Sequence, residues 1–273
     1  MISHPFDLLM ELGTGDIQLD CAALHLARDV YPHIRPPKYL ARLDVIAEDV
    51  AALRPGLSAA LRYEAMRQVL VERYALRGNQ DDYYDPQNSY LNRVLDRGLG
   101  IPITLSVAWL AVARRLKWPV AGLRFPGHFI LRFDDSEQFV LVDPFSDGRT
   151  LTIADCRRIL AHHFDGKVRF SPTFLKPVDT RAILARLLTN LRNIYLANQD
   201  WERLAEVLRR LASVEPGNNR HLSELAGLLY RRGDVRTAYA HLRVSLERQL
   251  DSGDQFLVRK RLAHLEALIA AMN

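Results

Sequence analysis

Cysteine is scarce: Cys21 and Cys156 are the only two in 273 residues. That excludes a disulfide framework and a four-cysteine zinc site, and it fits a reducing compartment. Long apolar runs are also missing. The uncharged stretch Ile101 to Ala113 falls short of the roughly 20 apolar residues that a membrane-crossing helix needs. The opening residues, Met1 to Asp7, carry no basic leader, so no secretory signal is expected. There is no phosphate-binding loop, no dinucleotide glycine fingerprint and no cluster with metal-ligand spacing, so neither cofactor nor metal is expected. His162 and His163 are adjacent, and neighbouring helical positions point about 100° apart, which suits two ligands of one metal poorly. A cytoplasmic protein without a membrane partner is the expectation.

Charge of one sign is not in great excess either. Lys+Arg number 37 against 32 Asp+Glu, a formal net charge of +5. The arginine pairs at 114–115, 157–158, 209–210 and 231–232 are scattered over several helical segments. They read as solvated helix faces, and without a concentrated basic face or a reading motif nucleic acid is not an expected partner. Hydrophobic residues at 48% and charged residues at 25% match an ordinary globular chain of one large or two modest domains.

The first 80 residues carry helical periodicity in Leu19–Val30, Tyr39–Leu53 and Ser58–Leu76, with Gly78-Asn79 as the last stop. The acidic stretch Asp81 to Ser89 lacks the central Gly and terminal Glu of a calcium loop and reads as a turn rich in Asx caps. Ser89 is the expected N-cap of a short helix, Tyr90–Asp96. After Gly98 and Gly100, Pro102 stands near the first turn of a second helix, where its missing N–H costs nothing. Leu105 to Leu116 is almost wholly apolar, which predicts a central buried helix.

Three strand-like pieces follow, Val120–Phe125, His128–Phe133 and Gln138–Asp143, the last two flanking the acidic loop Asp134–Glu137. If Phe133 pairs with Gln138, His128 stands directly opposite Asp143. Opposed Cβ atoms lie about 4.5–5.5 Å apart, close enough for a carboxylate to orient an imidazole.

From residue 181 the strand pattern gives way to helical hairpins with a period of 34, the length of a tetratricopeptide repeat. Leu191 matches Leu225, Tyr195 matches Leu229, Trp201 matches Val235 and Leu208 matches Leu242. Gly233 sits at the turn of the second copy and Ala238 at its tight helix contact, while Pro216 closes the first. Gln199, Leu204 and Leu250 depart from the pattern. Phe256–Met272 reads as a capping helix. The expected architecture is α+β: a helical part at 1–80, a core at 81–178 with a central helix against an antiparallel sheet, and helical repeats at 179–273.

Four motifs stand in order in the middle of the chain: Asn88-Ser-Tyr-Leu-Asn92, Gly100-Ile-Pro-Ile-Thr-Leu-Ser106, Phe125-Pro-Gly-His-Phe129 and Asp143-Pro-Phe145. They resemble a bacterial family with a transglutaminase-like core, the one named after the first protein of the SirB locus. With its helical N-terminus and C-terminal tetratricopeptide repeats, the resemblance covers nearly the whole length. It implies a papain-like fold in which a Cys heads the central helix, a His begins one strand and an Asp ends the next. His128 matches that histidine and Asp143 that aspartate. Counted back from Leu116-Lys-Trp-Pro119, the cysteine's slot falls on or near Pro102, and Gly100, Ile101 and Ile103 supply no nucleophile either.

Two functional readings follow. In the first, the cleft is degenerate and binds without turnover, with Asn88, Ser89, Tyr90, Pro102 and Gly127 lining it, and the repeats take a protein or peptide partner. In the second, a hydrolase or acyltransferase uses Thr104 or Ser106, activated by His128 and Asp143. Against the second, Thr104 serves as a local cap and Ser106 packs against a neighbour. His128 and Asp143 also have a plain reading, as a buried hydrogen-bonded pair that fixes the hairpin. Cys21 and Cys156 read as buried structural thiols.

Overall fold

Proline opens three helices, Pro5, Pro36 and Pro102 each standing first, where a fixed φ suits the helix and the absent N–H breaks no bond. The computed structural model describes residues 4–248 and 255–271. Its helices are α1 (Pro5–Met10), α2 (Leu19–Leu26), α3 (Pro36–Ala52), α4 (Ala59–Arg67), α5 (Leu91–Arg97), α6 (Pro102–Arg115), α7 (Ile153–Phe164), α8 (Thr180–Ala197), α9 (Trp201–Val214), α10 (Arg220–Arg231), α11 (Val235–Arg248) and α12 (Gln255–Ala271). The strands are β1 (Arg77–Gly78), β2 (Leu99–Gly100), β3 (Val120–Leu123), β4 (Ile130–Asp134), β5 (Phe139–Asp143) and β6 (Arg149–Leu151). None of the described helices is long and apolar enough to cross a membrane.

The chain divides into two compact units, one of residues 11–187 and one formed by the first ten residues with those from Leu188 onward. The division falls inside α8, whereas the sequence suggested a boundary at 178. Its position has a physical cause. Leu123 bridges Pro177, the Val178 N–H donates to the Gly122 carbonyl at 3.0 Å, and Ile183 packs on Gly122. The start of α8 is therefore bound to the edge of β3.

In the first unit α6 is the axis. Eleven of its 14 residues are buried, and it packs against α2, α3, α5, β3 and β4. The strands β3-β4-β5-β6 form an antiparallel meander, and β1 pairs in parallel with β2. The observed hairpin register joins Phe133 to Val140 and Asp134 to Phe139, two residues away from the expected pairing of Phe133 with Gln138. Asp134 extends the strand, its N–H held by the Pro119 carbonyl at 2.9 Å. Asp135 turns the chain, accepting from the Glu137 and Gln138 N–H groups at 2.8 Å each and from the Ala59 N–H at 2.7 Å. A shift of two keeps every side chain on its face, so His128 and Asp143 still meet.

Two helix boundaries also differ from expectation. Ser58 caps α4 through the Leu61 N–H at 3.3 Å, but regular α-helix stops at Arg67 and continues as wider π turns over Gln68–Arg73. The chain leaves the helix at Ala75, φ +53°, before Gly78-Asn79. Ser89 ends a 3-10 turn, Pro86–Ser89, that Asp85 caps through the Gln87 N–H, and Tyr90 is the residue before α5. The Asx-rich turn is thus present while the Ser89 cap is not.

In the second unit α9 begins at Trp201 and α11 at Val235. Gly233 adopts φ +82° before α11, and Ala238 is fully buried. Arg210 on α9 donates to Asp7 on α1, and Ser213 donates to the same carboxylate at 2.9 Å. Leu250 and Met272 lie outside the described residues.

Candidate functional site

The Asp143 carboxylate closes β5 and collects three donors. The Phe145 N–H reaches Oδ1 at 3.0 Å, the Ser146 hydroxyl reaches Oδ2 at 2.8 Å, and His128 Nε2 lies 2.9 Å from Oδ2. Burial of the carboxylate works to raise its pKa. The hydrogen bond and charge of His128, with the two local donors, outweigh burial and hold it below the usual carboxylate range. Because Nε2 serves Asp143, Nδ1 is the ring nitrogen left for another partner. Asp143 fixes the orientation of the imidazole.

His128 stands two residues before β4, at the end of a turn in which its N–H donates to the Phe125 carbonyl at 3.0 Å. Gly127 makes that turn at φ +75°, and a Cβ there would lie 3.0 Å from the His163 ring. Partial burial and the neighbouring His128 and His162 all lower the pKa of His163, on α7. Phe145 presents its ring edge to His128 with centroids 6.5 Å apart, and Tyr83 stacks edge-on to Phe145 at 5.7 Å. Behind Phe145 lies Gly78, where a Cβ would meet the Phe145 carbonyl at 2.3 Å. Gly78 pairs with Gly100, two residues before Pro102. This contact chain links the His128–Asp143 pair to the head of α6.

No nucleophile stands at that head. Pro102 has neither a reactive side chain nor an N–H, and the N-cap position is Ile101. Thr104 and Ser106 are fully buried. Ser106 donates its proton to the Pro102 carbonyl at 2.8 Å, and the Thr104 hydroxyl has no partner, so Thr104 does not act as the expected cap. Cys156 is buried among Leu123, Phe125 and Leu160, and burial pushes its thiol pKa up. Cys21 is half-buried, and burial followed by the charge of Asp20 pushes its thiol up as well. A catalytic thiol needs the opposite shift.

The other expected cleft residues have defined places. Asn88 is fully buried, donating to the Asp82 and Tyr83 carbonyls at 2.7 and 3.3 Å and accepting from Asn79 at 3.1 Å. Its backbone carbonyl takes the Ile101 N–H, so it ties the 79–90 segment to α6 with its donors already used. Ser89 is buried with an unpartnered hydroxyl. Tyr90 is buried edge-on to Tyr31 at 5.4 Å. Ser146, His163 and Tyr83 also belong to this neighbourhood and were missed from sequence. Only Ser146 left a signal there, an Asp followed three residues later by Ser, the spacing of a local side-chain turn.

Comparison with known proteins identifies the family. The model of the transglutaminase-like superfamily matches residues 37–189. A UPF0162 protein of Xylella fastidiosa is 35% identical over 218 residues, covering 78% of this chain and 77% of that one. A UPF0162 protein of Pseudomonas aeruginosa is 32% identical over 252 residues, 89% of each chain. Human F-box only protein 21 is 30% identical over 139 residues, 48% of this chain and 21% of that protein. The chain belongs to the transglutaminase-like superfamily and, within it, to the UPF0162 family.

Proposed function

We propose that this is a binding protein, with a transglutaminase-like cleft that holds a ligand group at His128 without turning it over, joined to a helical repeat array that takes a protein segment. The observation that carries this reading is the head of α6. An oriented imidazole has no nucleophile to deprotonate when the helix begins Ile101-Pro102 and both thiols have raised pKa values elsewhere. Thr104 and Ser106 do not replace them, since each is sealed from solvent and Ser106 is bonded within its own helix. What remains at His128 is one hydrogen-bonding nitrogen beside the Phe145 ring, suited to a carbonyl, amide or carboxylate group.

For the array, support comes from α9 and α11, which begin 34 residues apart at Trp201 and Val235. That is the spacing of tetratricopeptide units, with Gly233 at the turn and Ala238 at the close contact. The test is turnover. Purified full-length protein is assayed for amine incorporation into casein and for hydrolysis of peptide and ester substrates, beside His128→Ala, Cys21→Ser/Cys156→Ser and Thr104→Val/Ser106→Ala. Rates equal in all four proteins are expected. Turnover that disappears in any one variant, with its fold intact, overturns the reading.

A further inference from the structure

The C-terminal helices border an open cavity of about 590 Å³ between α10 and α12, floored by Leu242 of α11. Its charge is one-sided. Arg231, Lys260 and Arg261 line it, all exposed, and among the described residues none of the three is in an ion pair. The carboxylate on its wall, Glu224, is already held bidentate by Arg192 at 2.7 and 2.9 Å. Beneath the cations the wall is apolar, with Ala226, Leu242 and Leu265 buried. The cavity therefore offers uncompensated positive charge above an apolar floor.

Gly227 sharpens the picture. It lies in the interior of α10, on the cavity wall, and a Cβ there would meet nothing within 4 Å. Glycine is a poorer helix former than alanine, and no turn, positive φ or close approach requires it here. Its effect is to leave room. Across the opening, the Tyr230 hydroxyl and His264 Nε2 meet at 3.2 Å and tie α10 to α12.

We propose that this cavity is the docking site for an acidic segment of a partner protein, an aliphatic or aromatic side chain entering over Gly227 while flanking Asp or Glu residues pair with Arg231, Lys260 and Arg261. This rests on the reading of the C-terminal helices as a binding array. Charge complementarity selects the acidic flanks, and the apolar floor selects the anchor.

Selection of a displayed random-peptide library on the full-length protein tests it. Recovered peptides are expected to carry Asp or Glu on either side of a large apolar residue. Their binding should weaken as salt rises and fall tenfold or more in Gly227→Leu and in Lys260→Glu/Arg261→Glu. The charge-reversal variant sits at exposed positions, so it decides the matter if Gly227→Leu fails to fold. Peptides that bind both variants undiminished overturn this site but keep the array reading. Recovery of no peptide overturns both. A dimer in sedimentation that Gly227→Leu dissociates, or dodecanoate binding without peptide binding, makes the occupant a second copy or a small amphiphile and also overturns the proposal.

Discussion

Most of the buried polar side chains among the described residues belong to the transglutaminase-like unit, while the C-terminal unit buries Arg210 and Ser245. The transglutaminase-like unit draws them inside. Asp20, Asn79, Asn88, Asn92, Thr104, Ser106 and Asp143 are all buried, around an α6 that is itself buried on nearly every face. In the C-terminal unit α10 buries Leu222, Leu225, Ala226, Leu228 and Leu229, and leaves Gly227, Tyr230 and Arg231 exposed. Internal polar groups hold their partners at fixed distances because a buried donor or acceptor left alone is costly. Charges on the outer face of a helix are cheap to change. Orientation is thus the property of the first unit, and an adaptable charged surface that of the second.

The comparison breaks most visibly at Asp143. Asp143→Ala strands the Phe145 N–H, the Ser146 hydroxyl and His128 together, and is expected to cost about 1.5–3 kcal/mol. By contrast, Glu224→Ala in the second unit, a half-exposed partner of Arg192, should cost less than about 1 kcal/mol. The Asp143 contribution depends on pH with a definite sign. Its folded pKa is depressed, so its stabilisation is complete above the unfolded value of about 3.9 and is lost as pH falls through the depressed folded value. Urea unfolding of wild type and Asp143→Ala from neutral pH into acid should show a constant gap that closes below about pH 4. A gap that persists at the acid end would mean that the carboxylate is not the source of the stability.

Sequence patterns reached the internal order of the first unit in part, and the parts they missed share a cause. The His128–Asp143 contact was legible because a short hairpin loop restricts the register, and an error of two leaves faces unchanged. The register itself was not legible. Asp134 and Asp135 look alike in sequence, and what distinguishes Asp135 is the Ala59 N–H, 76 residues away. Periodicity ran through Val69, Leu70 and Tyr74, so the widened turns after Arg67 left no mark in the pattern. His163 reaches Gly127 from α7, a purely tertiary approach. The buried α6 was the easiest element to read, because an almost uninterrupted apolar run of helical length has few alternatives.

Thr104 separates fold from chemistry within that helix. Its hydroxyl is sealed and unpartnered, so Thr104→Val replaces an unsatisfied polar group with a methyl of similar shape. A gain of about 1 kcal/mol is expected in chemical denaturation. If the hydroxyl were instead a nucleophile paired with His128, the same substitution would abolish turnover while stabilising the protein, the signature of a residue kept for function. Stabilisation with no functional loss removes Thr104 from the chemistry.

Gly227→Ala makes the corresponding test in the second unit, and it is the smallest effect. Alanine in an exposed helix interior is favoured over glycine by about 0.8–1 kcal/mol, and the added methyl meets open space. Urea unfolding should therefore show a gain of up to about 1 kcal/mol. Its counterpart in the first unit, Gly78→Ala, must fail, because its Cβ would enter the Phe145 carbonyl at 2.3 Å. The two glycines exist for different reasons. Gly78 is demanded by the fold, and its loss should show in the absence of cooperative unfolding. Gly227 is not demanded by the fold, so a stabilised Gly227→Ala that keeps its melting transition means that the glycine serves what enters the cavity. A destabilised Gly227→Ala would return it to the class of Gly78 and leave the cavity without its clearest mark of purpose.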